Sequence, residues 1–196
     1  MAINEARTEE RLVSCIKKGP IVALAGGVGG AKLVLGLTRL LTPENLTVVV
    51  NTGDDEIFHG LHVSPDLDTV MYTLARLANP EWGWGIAGET FNALKMLKRY
   101  GAVGWFSLGD GDLATHIERT RLLREGWSLS EVTQHLCRNL GISIALVPMS
   151  DQYVRTIVET DAGEIPFQEY FVMLQCEPRI KGVHFRGALC LVVSTP

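Results

Sequence analysis

At 196 residues, 46% hydrophobic and 20% charged, the chain has an ordinary globular composition and is long enough to bury most of its apolar surface in one domain. A formal charge of −4 and a pI near 5.7 exclude a general nucleic-acid or anionic-membrane binder. No apolar run reaches the roughly 18 residues of an ordinary membrane span. Cys15, Cys137, Cys176 and Cys190 are scattered without CxxC spacing, which argues against zinc or a disulfide framework and for a reducing, cytoplasmic compartment. Residues 1–19 are charged and lack the apolar core of a secretory signal; they read as an extension to a domain over 20–196.

The first predicted strand is Ile21 to Ala25. It runs into Gly26-Gly27-Val28-Gly29-Gly30-Ala31-Lys32 and then an amphipathic helix from about Lys32 to Leu41. Strand, glycine turn and helix together direct backbone N–H groups and a positive helix end at a phosphate. The turn is not a Walker A loop, because position 33 is Leu, and it is a poor dinucleotide fingerprint. A tight structural turn is the alternative, with Lys32 either at the phosphate or solvated.

Leu46 to Val50 is a second unbroken apolar run, suited to a parallel strand covered on both faces. At its carboxyl end, where open α/β sheets bind ligands, lies Asn51-Thr52-Gly53-Asp54-Asp55. Asp66 and Asp68 follow in Ser64-Pro65-Asp66-Leu67-Asp68-Thr69, where Ser or Asp caps a helix over Val70 to Leu77. Four carboxylates thus flank one strand-to-helix loop. The plain alternative is a helix cap plus a solvated turn.

The loop 78–88 carries Trp82 and Trp84, which either stack on a flat heterocycle or cover the core. A helix over Thr90 to Tyr100 turns Phe91, Leu94, Met96 and Leu97 inwards. A third strand, Trp105 to Leu108, ends in Gly109-Asp110-Gly111-Asp112. The next helix, from Leu113, turns in Leu113, Ile117, Leu122 and Leu123. Thr115, His116, Arg119 and Thr120 either meet a phosphate or ribityl hydroxyl or lie on a solvated face. Ser128 and Glu131 form a capping box for a helix Leu129 to Leu140, closed by Gly141. A strand Ile142 to Val147 leads to Pro148-Met149-Ser150-Asp151, and Val154 to Glu159 with Ile165 to Val172 reads as a β-hairpin.

GGVGGAK, VVVNTGDDEIFHGLHVSPDLDTVMYTL, the GWG loop, LGDGDLATH, LVPMSD and PFQEYFV occur in this order. By these motifs the chain, from about Pro20 to about Ala188, resembles the CofD/FbiA family, the 2-phospho-L-lactate transferases of coenzyme F-420 biosynthesis. The resemblance implies a Rossmann-like α/β fold: a mostly parallel sheet flanked by helices, with a β-hairpin near the C-terminus. It implies transfer of a 2-phospholactyl or phosphoenolpyruvyl group from a guanosine diphosphate-linked donor to the ribityl hydroxyl of the deazaflavin Fo, with GMP leaving. Carboxylates of this kind hold Mg²⁺; Asp54 and Asp68 are the leading ligands and catalytic residues, Asp55 and Asp66 the alternates, with Asp68 also at the Fo hydroxyl. Substrate contacts are implied at Gly26, Gly27, Gly29, Gly30, Lys32, Asn51, Thr52, His59, Asp68, Trp84, Ser107, Asp110, Asp112 and His116. Position 111 is Gly where the family pattern has Arg. The family continues for roughly another hundred residues, so the expected domain lacks that C-terminal part and its activity is in question. A non-catalytic nucleotide-sugar-binding regulator is the competing function, and an NAD-dependent oxidoreductase a weaker one. The expected partners are small molecules, with no nucleic acid or membrane and with a homodimer left open.

Overall fold

The structure is a computed structural model that describes residues 19–188. Its centre is a three-stranded parallel sheet, β1 (Ile21–Ala25), β2 (Leu46–Val50) and β5 (Ala145–Pro148), in the order β1-β2-β5. The register pairs Ile21 with Leu46 and Thr47 with Ala145. Helices α1 (Gly27–Leu37), α2 (Pro65–Leu74) and α5 (Leu129–Asn139) close the core with Ala31, Val34, Leu67, Val70, Met71, Leu129 and Cys137, packed against Leu46, Val48 and Val50. Continuous apolar runs made β1 and β2 strands; β2 is buried at Leu46, Val48 and Val50 and half-buried at Thr47 and Val49, whereas β1 is open on one face, with Val22 and Leu24 62% and 78% exposed.

Two smaller sheets frame the carboxyl end of the central one. β3 (Glu56–Phe58) and β4 (Leu61–Val63) form a hairpin turned by His59 and Gly60, whose φ of 53° and 77° suit a two-residue I′ turn. The second is antiparallel, β7-β6-β8, from β6 (Arg155–Thr160), β7 (Gly163–Pro166) and β8 (Ile180–Arg186). The predicted hairpin is present, but its second strand stops at Pro166. Glu169–Met173 is a π-helical turn instead, because proline removes a ladder donor and ends the pairing. β8 was not foreseen.

Three other expectations shift. The last parallel strand begins at Ala145, not Ile142. The glycine turn is itself the first turn of α1. Trp105 to Leu108 is not a strand: consecutive rings at Trp105 and Phe106 both pack on Phe58, at 5.2 and 4.2 Å between centroids, whereas neighbours in a strand face opposite ways. The remaining helices are α3 (Asn92–Arg99) and α4 (Asp110–Arg124). The capping box at Ser128 and Glu131 is formed as read. Cys137 and Cys176 are free thiols; Cys15, Cys190, the expected N-terminal extension and the apolar run after Ala188 lie outside the described residues.

Candidate active site

The loop after β2 is held from both sides. Asn51 N–H donates to Ala25 O, Met149 N–H to Val50 O, and Thr156 N–H to Gly53 O. The Gln168 amide donates to Asp54 O at 3.2 Å. The antiparallel sheet thus clamps the carboxylate loop onto the parallel one.

The four carboxylates have three different roles. Asp54 and Asp66 are brought together by Asn51, whose amide nitrogen lies 3.0 Å from Asp54 Oδ2 and 2.9 Å from Asp66 Oδ2. Among the described residues neither has an ion-pair partner, and burial, with the Asp66 charge second, raises the Asp54 pKa. Asp55 is buried, accepts from the Ser64 hydroxyl at 2.7 Å, and is driven well up in pKa by burial. The Ser64 hydroxyl therefore does not cap α2. Asp68 is paired by both oxygens with Arg119. Two adjacent carboxylates with no cation of the protein beside them fit a hard divalent ion. Asp54 and Asp66 could thus hold a divalent ion as a pair; Asp55 faces a hydroxyl and Asp68 a guanidinium.

Asp54, Asp66 and Asp68 line a cavity of about 410 Å³ together with Tyr72, Asp112, His116, Ser107, Gln168 and the rings of Trp84, Trp105, Phe106, Phe167 and Phe171. It has an acidic floor and aromatic walls. Trp84 is 45% exposed and stacks on Trp82 at 5.4 Å, so neither tryptophan is core cover. On the floor, Asp112 Oδ1 accepts from Tyr72 OH at 2.7 Å and lies 3.2 Å from His116 Nε2. His116 and Arg119 are 0% and 1% exposed, while Ile117, expected inside, is 55% exposed. The inward face of α4 thus sets His116, Arg119 and Thr120 among Leu113 and Leu122, with Asp68 and Asp112 facing the two nitrogenous side chains.

Several expected contacts lie elsewhere. Asp110 does not line the cavity: it accepts from the Thr90 hydroxyl at 2.5 Å and from the N–H groups of Asn92 and Ala93, capping α3. The start of α4 is already served by Glu89, whose oxygens accept from Gly111 N–H at 2.9 Å and Asp112 N–H at 2.7 Å; it leaves no free end for a phosphate. His59 is an exposed hairpin tip and Lys32 is exposed on α1; neither lines the cavity. Thr52 faces a different, smaller cavity with Asp55 and His62. Gly30 has a packing role, since a Cβ there would lie 3.1 Å from Ala25 Cα; Gly26, Gly27 and Gly29 are likewise absent from the cavity lining. Tyr72, Phe167, Gln168 and Phe171 were missed, and Arg119, read as either a ligand contact or a solvated side chain, is neither: it is buried against Asp68. For Arg119 a signal existed: Asp112, His116 and Arg119 recur at helical i, i+4, i+7 spacing on one face.

The family model described as "2-phospho-L-lactate transferase CofD" matches residues 21–190. Over 173 residues the chain is 48% identical to a phosphoenolpyruvate transferase of Streptomyces griseus, covering 86% of this chain and 54% of the relative. It is 43% identical over 152 residues to a 2-phospho-L-lactate transferase of Methanospirillum hungatei, covering 78% and 51%. The chain thus spans about half the length of these curated relatives. Among solved structures, a UPF0052-family protein of Bacillus halodurans superposes with a TM-score of 0.52 at 16% identity, over 87% of this chain and 52% of that one; the likeness concerns the fold.

Proposed function

The chain belongs to the 2-phospho-L-lactate transferase CofD family, and we propose that it binds the deazaflavin Fo in the aromatic-walled cavity and serves transfer of a phosphoenolpyruvyl or 2-phospholactyl group to the ribityl hydroxyl. The observation that carries this reading is the pairing, in one cavity, of stacked-ring walls with a carboxylate floor. A flat tricyclic ring suits the walls, because aromatic faces bind heterocycles by stacking, and a polyhydroxyl chain suits the floor.

In the reaction so read, the ribityl oxygen bonds to the phosphorus that carries the transferred acid. The bond from that phosphorus to the bridging oxygen breaks, and GMP leaves with that oxygen. Such a step needs positioning and neutralisation of charge more than covalent help. Asp68 lines the floor and is the acceptor for the hydroxyl hydrogen. Asn51 holds Asp54 and Asp66 side by side as the pair that would hold Mg²⁺, which when bound supplies the positive charge that donor phosphates require. Identity to the Streptomyces griseus relative, 48% against 43% for the archaeal one, favours phosphoenolpyruvyl as the transferred group.

Calorimetry with Fo and with a guanosine diphosphate-linked donor, each with and without Mg²⁺, followed by a GMP-release assay, tests the proposal. Fo binding together with Fo-dependent GMP release is the expected result. Donor binding without GMP release favours the non-catalytic regulator instead.

A further inference from the structure

We propose that Arg119 is a positioning residue of this site: from behind the cavity wall its guanidinium fixes Asp68 as an acceptor and holds the His116 ring with Nδ1 towards itself, so that Nε2–H is offered to an oxygen of the bound ligand. The inference deepens the acceptor reading above and rests on it for the identity of that ligand.

The geometry leaves few choices. Arg119 sits on α4 with 1% exposure. Its Nη1 donates to Asp68 Oδ2 at 3.1 Å and reaches His62 O at 3.4 Å, and its Nη2 donates to Asp68 Oδ1. Nη1 also lies 3.3 Å from His116 Nδ1. Nη1 carries two hydrogens, so one of them is shared among these three neighbours, and a guanidinium offers no acceptor. The imidazole nitrogen that faces it therefore presents a lone pair, and the ring proton is on Nε2.

That nitrogen is buried without an aligned hydrogen-bond partner. Asp112 Oδ1, which also accepts from Tyr72 OH, is 3.2 Å away but out of line for a hydrogen bond. Buried donors are almost always paired, so an unmatched N–H on a cavity wall marks a place for a ligand oxygen. Asp68, fixed at both oxygens by the same guanidinium, supplies the acceptor beside it. One buried arginine thus sets a donor and an acceptor on the cavity floor, the complement of a hydroxyl. A merely structural ion pair would account for Asp68 but not for the tautomer of His116.

The test begins with imidazole ¹⁵N spectra of the unliganded chain, which do not depend on which ligand is correct. The expected pattern at His116 is an unprotonated Nδ1 and a protonated Nε2. An Nδ1–H tautomer or an imidazolium overturns the proposal, and the wild-type spectrum decides this even where a variant fails to fold. Arg119→Lys keeps the charge but loses the fork; it is expected to mix the tautomers and to lower kcat about tenfold or more while KM changes less. An unchanged tautomer in a folded Arg119→Lys protein counts against positioning. On adding Fo, the His116 Nε2 signal is expected to move. Tryptophan quenching by Fo with an unmoved Nε2 signal sinks the donation while leaving the substrate reading intact. No response from tryptophan or His116 sinks the substrate reading, and the tautomer then stands or falls on the unliganded spectrum.

Discussion

Gly26 and Asp66 meet at a distance that leaves no room for a side chain: a Cβ on Gly26 would lie 2.9 Å from Asp66 Oδ2. The backbone of Gly26 is extended, with φ of −159°, a conformation open to any residue. What requires glycine here is therefore the carboxylate. Gly26→Ala is expected to push Asp66 away from Asp54 and weaken Mg²⁺ binding about tenfold or more, equivalent to about 1.4 kcal/mol, while the fold is retained. Calorimetric titration of Mg²⁺ into both proteins checks this. Equal affinities would remove Asp66 from the cation site.

The tryptophan pair gives a second prediction. Trp84 is half-exposed on the cavity wall, and its neighbour Trp82 does not line that cavity. Fo is expected to quench tryptophan fluorescence, and Trp84→Ala to weaken Fo binding by about 1–3 kcal/mol, the range for a base stacked on an aromatic ring. Trp82→Ala should act less. The reverse order would place the heterocycle on the outer face of the pair.

Burial on the parallel sheet separates two leucines of similar sequence context. Leu46 on β2 is 1% exposed and Leu24 on β1 is 78% exposed. Leu46→Ala should cost about 2–5 kcal/mol through lost burial and a cavity. Leu24→Ala should stay within about 0.5 kcal/mol, as for an ordinary surface change. Urea unfolding of the two variants decides; similar losses would mean that the β1 face is covered in solution.

That contrast shows where sequence reading stopped. IVALA and LTVVV are both apolar runs, so their strand character was legible, but which face another element covers depends on packing far away in the chain. The carboxylate loop was legible because turn residues and charges gather at one strand end. The division of labour within it was not, because it is set by Asn51 for Asp54 and Asp66, Ser64 for Asp55, and Arg119 for Asp68. Arg119 lies 51 residues from its partner, and an arginine on a helix is usually solvated. The β3–β4 hairpin was hidden because His59-Gly60 lacks the usual Asn-Gly or Asp-Gly signature.

His62 supplies the last prediction. It lies beside Asp55, with Nε2 3.7 Å from the carboxylate and Nδ1 3.3 Å from the Ser64 hydroxyl. Burial, with the Arg119 charge second, holds its pKa down at about 4, below the 6.5 of an ordinary histidine. A histidine whose folded pKa is depressed binds its proton more readily in the unfolded chain. Its contribution to stability is therefore complete above about pH 6.5 and is lost as pH falls towards 4. At about 1.36 kcal/mol per unit, the loss is on the order of 3 kcal/mol by pH 4. Asp54 and Asp55 oppose this trend. Their folded pKa values are raised, so falling pH protonates them preferentially in the folded state and adds stability. Overall acid stability thus mixes two signs, and the His62 part must be isolated by difference. His62→Gln removes the titration while keeping a polar side chain. Between pH 6.5 and 4 the wild type should lose stability relative to this variant, and above pH 7 the difference should be constant. Parallel stability curves across the whole range would show that His62 is as free to take a proton in the folded chain as in the unfolded one.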